Sequence, residues 1–508
     1  MQIRKPICSF GAILLFLGYC TFWWVLKLEE LPGLHGDEAW AGLKADEFIN
    51  SGVHETQGMT YYTGILQPGI VSFFFKKFGI GVVQLRVGGY IFNLLGITLL
   101  FFTFFKSGFH RMVLFLALLF GQSTLFLSVA RVAWEVNTFT VFFIALLVWS
   151  CGNILKTKKD IRYLWITVFM LVNLMGTYNH ILFSCFSVAI WFTTALCTYQ
   201  HGRIKFLDFA VIVTLNLLNI VMLATFVLYF HPWITILVPS FIIVIPIELW
   251  LIRMMVHQNF HKFHWQPSQK VFQLILALMI GSFLIFHGMA FLDALSNYKT
   301  LVHLYSYEFN IVWKSTFILL GAVVATYLTK FLFDDIVQKE KPFPALFIIS
   351  YGGILSMYTI SNSSRYYLVI LTITYIYLAF KLADSRHMWH PLTLTLLVMT
   401  LLVNVFMLTI YVPAKRNIKA IQFTIGNGNE ETSAHFLPME SLVDSLRKHR
   451  INDIDCVSDQ FFLENPIRFY YLIAPWQRVE GNGAMIYYDY HGLGNGFLLR
   501  YFSITDPH

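Results

Sequence analysis

The chain has 508 residues, of which 57% are hydrophobic and only 13% charged, and its mean hydropathy is +0.63. So few charges could not cover the surface of a soluble protein of this size, which leaves a polytopic membrane protein. The net charge of +8 is split into short basic clusters between apolar runs, the way a membrane protein records its orientation and not the way a nucleic-acid-binding face is built.

The N-terminus, Met1-Gln-Ile-Arg-Lys-Pro, leads into an apolar run ending near Leu26. That run is too long for a signal-peptide core and has no small-x-small cleavage site, so it reads as an uncleaved first span. Further runs of spanning length lie near 85–105, 111–130, 136–155, 163–180, 181–200, 206–229, 232–252, 272–292, 311–332, 343–360, 366–381 and 391–412, about thirteen spans in all. The nearly continuous pairs divide at Tyr178-Asn179-His180 and at His231-Pro232.

With the N-terminus in the cytoplasm the charges sort by side. The inner turns carry 18 basic residues, among them Arg4, Lys156, Arg203, Lys330 and Lys381, and the short outer turns carry only Arg131, Lys299 and Arg365. A single miscounted span would scramble that bias. Cys8, Cys20, Cys151, Cys185 and Cys197 lie in or at the ends of apolar segments and Cys456 in the polar tail, so neither a CxxC nor a disulfide framework is available.

Two segments escape the bilayer: a first outer loop, 27–84, and an outer tail, 413–508. The loop opens with Leu34-His35-Gly36-Asp37-Glu38-Ala39-Trp40, two adjacent carboxylates at the head of a helical stretch that runs to Asn50. On an interfacial helix Trp40, Leu43 and Phe48 would lie on the membrane, with Asp37, Lys44 and Glu47 in water. Tyr61-Tyr62-Thr63-Gly64-Ile65-Leu66-Gln67-Pro68-Gly69 follows, and Gln84-Leu85-Arg86 stands at the mouth of the second span.

The tail predicts a helix from Met439 to Arg450 and short strands at 455–457, 484–488 and 497–502, a small α/β domain. Gly481-Asn482-Gly483 and Gly492 to Gly496 read as turns. With no comparable carboxylate cluster, the tail is expected to be removable from 420 onward without disturbing a cavity in the core (residues 1–412).

An N-terminal span, Asp-Glu-Ala on a juxtamembrane helix, an aromatic/Pro segment and Leu-Arg entering the second span together resemble the C-type (GT-C) membrane glycosyltransferases. Within that superfamily the similarity is to the bacterial protein-mannosyltransferase-like and aminoarabinose-transferase-like branch. Ser128-Val129-Ala130-Arg131, Thr177-Tyr178-Asn179-His180 and Ser364-Arg365-Tyr366-Tyr367 sit where this group carries similar motifs. One departure is Thr-Gly-Ile-Leu-Gln-Pro in place of the branch's Lys-Pro-Pro or His-Pro-Pro.

The resemblance implies transfer of a sugar from a polyprenyl-phosphate donor to a glycolipid, a lipopolysaccharide component or a protein. The site would be on the outer face of a bacterial cytoplasmic (inner) membrane, and the reaction an inverting single displacement. Such chemistry needs a base for the acceptor hydroxyl and a cation for the leaving phosphate. Asp37 is placed to be the base; its plain alternative is an N-cap carboxylate following Gly36. Glu38 could orient the acceptor or help bind a divalent metal, and its i+1 position points it away from Asp37.

Arg365 is the first candidate for the phosphate, against a snorkelling arginine at a helix end. Arg86 and Arg131 are further candidates, and Tyr62, Tyr366 and His180 complete the substrate-binding set, His180 with a plain structural role as its rival. His35, His54 and Glu55 could join Asp37 about a metal, but no spacing fixes a metal site.

A transporter or lipid flippase is the rival class, though its charges would face a midplane pathway and not the outer boundary where these sit. An ion channel lacks a repeated filter-like segment here, and a catalytically inactive scaffold is compatible with the same sequence. The orientation has a direct check. A reporter fused after His508 and active only in the cytoplasm should stay silent, and activity would show that the span count is wrong.

Overall fold

The computed structural model describes residues 4–29, 33–190 (except 56, 61, 157–158 and 187), 193, 269–297, 311–338, 342–356, 364–384 and 391–406. In the tail it describes 439–448, 453–456, 460–475, 482–488 and 497–503. The expected spans at 206–229 and 232–252 lie outside the described residues, as does half of 181–200.

The first helices in chain order are α1 (Arg4–Val25), α2 (Gly36–Ser51), α3 (Leu66–Phe78), α4 (Val82–Lys106), α5 (His110–Gly121), α6 (Thr124–Val129), α7 (Glu135–Thr138), α8 (Thr140–Lys156) and α9 (Lys159–Asn179). They are followed by α10 (Gln269–Ser296), α11 (Ile311–Gln338), α12 (Pro342–Leu355), a 3-10 turn at Ser364–Tyr367, α13 (Leu368–Asp384) and α14 (Pro391–Phe406). Among the described residues, five helical stretches are long and apolar enough to cross a membrane: Val82–Lys106, Glu135–Ile154, Gln273–Ser296, Ile311–Ile336 and Arg365–Asp384. Their lengths follow from the roughly 20 residues that a rise of ~1.5 Å per residue needs to cross a ~30 Å core.

Close packing of these helices depends on small residues at the crossings, because lipid tails offer no hydrophobic contrast. At Gly96 of α4 a Cβ would lie 2.7 Å from the backbone nitrogen of Phe142 on α8, so only glycine permits that crossing. The aromatic core around it includes Phe16–Phe101 and Phe120–Phe126, with ring centroids 5.2 and 4.7 Å apart.

One expected span differs. Residues 111–130 do not form one helix; they break at Gln122-Ser123 into α5 and α6, and Ser123 caps α6 by accepting from the amide of Phe126. The backbone groups freed by the break find side chains from distant helices. The Gln122 carbonyl accepts from Asn297 Nδ2 at 2.9 Å and from Asn404 Nδ2, and the Thr124 amide donates to Asn297 Oδ1 at 2.8 Å. Inside a bilayer such groups need protein partners, and these asparagines supply them. Asn297 sits at φ 65°, a conformation Asn tolerates better than most residues.

Toward the end of α11 and along α13, Asp335 accepts from Tyr377 Oη at 2.8 Å and from Lys381 Nζ, so one lysine of the expected inner-loop set is ion-paired.

The tail contains α15 (Met439–Lys448), β1 (Asp453–Cys456), α16 (Gln460–Ile473), β2 (Asn482–Tyr488) and β3 (Phe497–Ser503). β1 pairs parallel with β2, with Ile454 opposite Ala484, and β2 pairs antiparallel with β3, with Ile486 opposite Leu499. Asn482 and Gly483 therefore lie in a strand, where a turn was expected. The helix at 460–473 was not anticipated; Pro466 stands inside it.

The tail docks on the head of the core. Phe469 of α16 is fully buried against α2 and α3 in a cluster with Ala39, Ala45, Val71, Phe75 and Val82, and its ring stacks on Phe75 at 6.1 Å. Gly42 makes the notch it enters, because a Cβ there would stand 2.3 Å from the Phe469 ring. Gly42→Val should therefore push α16 off α2 at a cost of about 1–3 kcal/mol, the usual range for overpacking. Limited proteolysis should then release the tail earlier than from wild type; unchanged nicking would mean the docking is not tight.

Candidate active site

The helix that carries the paired carboxylates starts one residue earlier than the sequence suggests, and its cap is His35, not Asp37. His35 Nδ1 accepts the Asp37 amide at 3.0 Å, and Glu38 Oε2 accepts the His35 amide at 3.1 Å, a reciprocal capping arrangement. Trp134 Nε1 also donates to His35 Nδ1, at 3.2 Å, so Nδ1 is the acceptor nitrogen of that ring. Asp37 and Phe48 are buried, whereas Lys44 and Glu47 pair at the surface at 2.9 Å, so only part of the expected interfacial face holds.

The two carboxylates face different partners. Glu38 is fully buried and receives four hydrogen bonds. Arg86 Nε (2.9 Å) and the Ala133 amide (2.8 Å) donate to Oε1, and Arg86 Nη2 (2.8 Å) and the His35 amide donate to Oε2. Arg86 spends further donors on the carbonyls of Leu28 (2.8 Å) and Gly33 (3.1 Å). Glu38 and Arg86 thus lock the exit of α1, the head of α2, the mouth of α4 and the turn before α7 together. Glu38, expected to orient the acceptor or bind a metal, and Arg86, expected to contact phosphate, thus face each other and the backbone. Arg131 is likewise an anchor of the α1 exit, fully buried, donating to the carbonyls of Leu26 (2.5 Å) and Lys27 (3.1 Å) with its guanidinium 4.9 Å over Trp23.

Asp37 meets Arg365 instead. Nη1 of Arg365 lies 2.6 Å from Asp37 Oδ2, and the arginine side chain is the more accessible partner, 18% exposed against 3%. Nη2 donates to Tyr366 Oη at 3.1 Å, and the guanidinium rests 5.1 Å from the Trp134 ring and 5.0 Å from the Tyr366 ring, a cation–π seat. The two residues that the sequence singles out separately, Asp37 and Arg365, are thereby joined directly.

His180 and Tyr62 form the next wall. The helix α9 ends at Asn179; His180 is extended and bridges Thr63, and the Ile181 amide donates to the Tyr62 carbonyl at 3.0 Å. The His180 ring stands 5.4 Å from Tyr62 and 5.8 Å from Tyr366. Its Nδ1 accepts the Leu182 amide at 3.2 Å, which leaves the proton on Nε2. Burial first, and the nearby Arg365 second, lower the His180 pKa to about 3, so the ring is neutral at any physiological pH. Nε2 has no hydrogen-bond partner among the described residues. Gln67, in the departure from the branch's Lys-Pro-Pro or His-Pro-Pro pattern, is fully buried on α3 and its amide also lacks a partner among the described residues.

Sequence reasoning missed Glu135. It is buried at the start of α7, close enough to interact electrostatically with both Asp37 and Arg365, and its carbonyl accepts from Asn179 Nδ2 at 2.6 Å. A lone acid four residues after Arg131 in an otherwise apolar stretch was the available signal. Among the described residues, no group of three or more His, Cys, Asp or Glu side chains is placed to hold a metal ion. Glu55 lies beyond the far end of α2, paired with Lys44 at 3.3 Å, and does not join Asp37.

No family model matches the chain, and no curated protein does. Solved structures do. ArnT from Cupriavidus metallidurans bound to undecaprenyl phosphate superposes with a TM-score of 0.52 at 11% identity over 94% of this chain and 93% of its own. Its apo state gives 0.51 at 12% over the same shares. The archaeal oligosaccharyltransferase AglB from Archaeoglobus fulgidus, solved with an inhibitory peptide and a dolichol-phosphate, gives 0.50 at 12%, over 94% of this chain and 61% of its own. The chain therefore shares the fold of ArnT and of the oligosaccharyltransferase AglB.

Breaking a buried ion pair from one side typically costs about 3–5 kcal/mol, because the other charge is left uncompensated. Glu38→Gln and Arg86→Met should therefore lower the thermal unfolding midpoint of the purified protein markedly, and more than Asp37→Asn does. Equal midpoints for Glu38→Gln and wild type would remove the lock.

Proposed function

We propose that this chain moves a sugar from a polyprenyl-phosphate-linked donor to a hydroxyl of a glycolipid, a lipopolysaccharide component or a protein. The reaction would take place on the outer face of a bacterial cytoplasmic membrane, with the N-terminus inside and the C-terminal α/β segment outside. The observation that carries the reading is the Asp37–Arg365 pair, a carboxylate held against a guanidinium on a lip of the bundle beside the first membrane exit. The fold supports it, since solved neighbours with that fold carry undecaprenyl phosphate or a dolichol-phosphate.

The chemistry follows from the two partners. The acceptor hydroxyl attacks the anomeric carbon from the face opposite the phosphate, Asp37 takes its proton, and the C–O bond to phosphate breaks with inversion. Arg365, the more exposed partner, receives the departing phosphate, where a guanidinium can bind two oxygens. A carboxylate paired with arginine is a weak base, because the positive charge stabilises its ionised form. Donor phosphate competing for Arg365 loosens that pair and makes Asp37 more basic, so the base is armed when the donor is in place. The neutral Nε2–H of His180, between the rings of Tyr62 and Tyr366, offers a donor to a phosphate or sugar oxygen.

Asp37→Asn separates the two duties. It should slow transfer of labelled sugar by at least about a hundred-fold, the lower end of general-base contributions, while undecaprenyl phosphate binds at least as tightly, since the carboxylate no longer competes for Arg365. Arg365→Lys should weaken that binding by removing the two-pronged contact. Near-normal turnover in Asp37→Asn would take Asp37 out of the mechanism.

A further inference from the structure

One buried imidazole has no part in the reaction above. His287, in the middle of α10, is 4% exposed, and both ring nitrogens are engaged. Nε2 lies 3.2 Å from the carbonyl oxygen of Leu355, and Nδ1 lies 2.8 Å from Tyr367 Oη. A carbonyl only accepts, so Nε2 carries the proton; in the neutral ring Nδ1 must then accept, and the Tyr367 hydroxyl donates.

The two partners are what give the ring meaning. Leu355 is the last residue of α12, where helix carbonyls run out of intrahelical donors. Tyr367 closes the 3-10 turn whose second and third residues are Arg365 and Tyr366. One side chain therefore grips the end of α12 and the turn that presents Arg365. On the same helix, Ser282 Oγ accepts from Ser356 Oγ at 2.9 Å, a second tie to the segment leaving α12. Around Tyr367 the grip is packed by aromatic rings, His287 at 5.9 Å and Phe291 at 6.4 Å.

We propose that His287 is a positioning residue: through Tyr367 it fixes the turn carrying Arg365, so that the guanidinium keeps its geometry when donor phosphate draws it from Asp37. The proposal rests on the reading of Arg365 as the phosphate ligand. A long arginine side chain has considerable rotamer freedom, and two-pronged recognition requires its base to be held within about 0.5 Å. Asp37 and Tyr366 hold only the tip of the side chain; Tyr367–His287 holds the backbone that bears it.

The test uses the full-length protein with undecaprenyl phosphate as the probe, in wild type, Arg365→Ala, Tyr367→Phe, His287→Gln, His287→Asn and the double variant Tyr367→Phe/His287→Gln. His287→Asn keeps an acceptor near the Nδ1 position for Tyr367. His287→Gln extends to Leu355 and gives up that acceptor. Tyr367→Phe and His287→Gln should each weaken binding about three- to ten-fold, the usual worth of one neutral hydrogen bond, and the double variant should be no weaker than either. His287→Asn should bind like wild type.

Amide hydrogen exchange over residues 364–371, measured without lipid, should accelerate in the same pattern. The proposal is overturned if exchange and binding are unchanged in Tyr367→Phe, or if His287→Asn is as impaired as His287→Gln, which would mark a merely structural histidine. Where Arg365→Ala does weaken binding, faster exchange with binding like wild type in Tyr367→Phe would also overturn it. If Arg365→Ala binds like wild type while the exchange pattern holds, the positioning stands and the phosphate reading of Arg365 fails.

Discussion

The buried Glu38–Arg86 pair is the constraint on which the site depends. Burying two charges at a membrane edge is unfavourable unless nearly every lone pair and proton is matched, and here Glu38 accepts four hydrogen bonds while Arg86 adds two backbone carbonyls. Those carbonyls, Leu28 and Gly33, belong to the chain leaving the first span; the Ala133 amide belongs to the turn that leads to Glu135. The pair therefore sets the position of α2 relative to three other segments before any substrate is considered. Asp37, the next residue toward the N-terminus, inherits that placement.

Two adjacent carboxylates divide the work because a helix turns them about 100° apart. Glu38 looks inward and is chemically closed. Asp37 looks across the bundle to a guanidinium that came from far along the chain and that is still partly accessible. The difference lies in the partners, not in residue type. A site needs one group that cannot move and one whose partner can be exchanged, and the Asp-Glu dipeptide supplies both.

Much of this was legible in the sequence, for reasons that differ by level. Hydropathy is a local property, so the run at 85–105 reappears as α4 and the division at Tyr178-Asn179-His180 reappears as the end of α9. Asp37 and Arg365 were each placed at an outer boundary by the sequence, but their direct ion pair was not foreseen, since it joins segments far apart in the chain. The break at Gln122 was not legible, since nothing local stops the helix; its freed carbonyl is satisfied by Asn297 and Asn404 from distant helices. The backbone partners of Arg86 and Arg131 were not legible for the same reason. An arginine at a helix mouth looks alike in sequence whether its neighbours are lipid phosphates or the carbonyls of another segment.

The charge balance around Arg365 ties these pieces together. One guanidinium interacts with two acidic groups, Asp37 and Glu135, the latter with its pKa raised to about 7 by burial first and by Asp37 second, and in the proposed reaction a donor phosphodiester would add a further anion. Coulomb interactions at that separation are strong in a partly dry site, so the three cannot all be served at once. Under the proposed function, phosphate binding would come at the expense of the Asp37 contact, and the cation–π seat on Trp134 and Tyr366 would keep the guanidinium in place. The neutral His180 ring fits the same requirement: a protonated imidazole beside Arg365 would offer the carboxylates a rival cation, whereas the neutral ring offers a hydrogen bond and no charge. In the proposed reaction, exchange of one partner at Arg365, on a frame that Glu38 and Arg86 do not let move, would make a stable ion pair usable as a catalytic one.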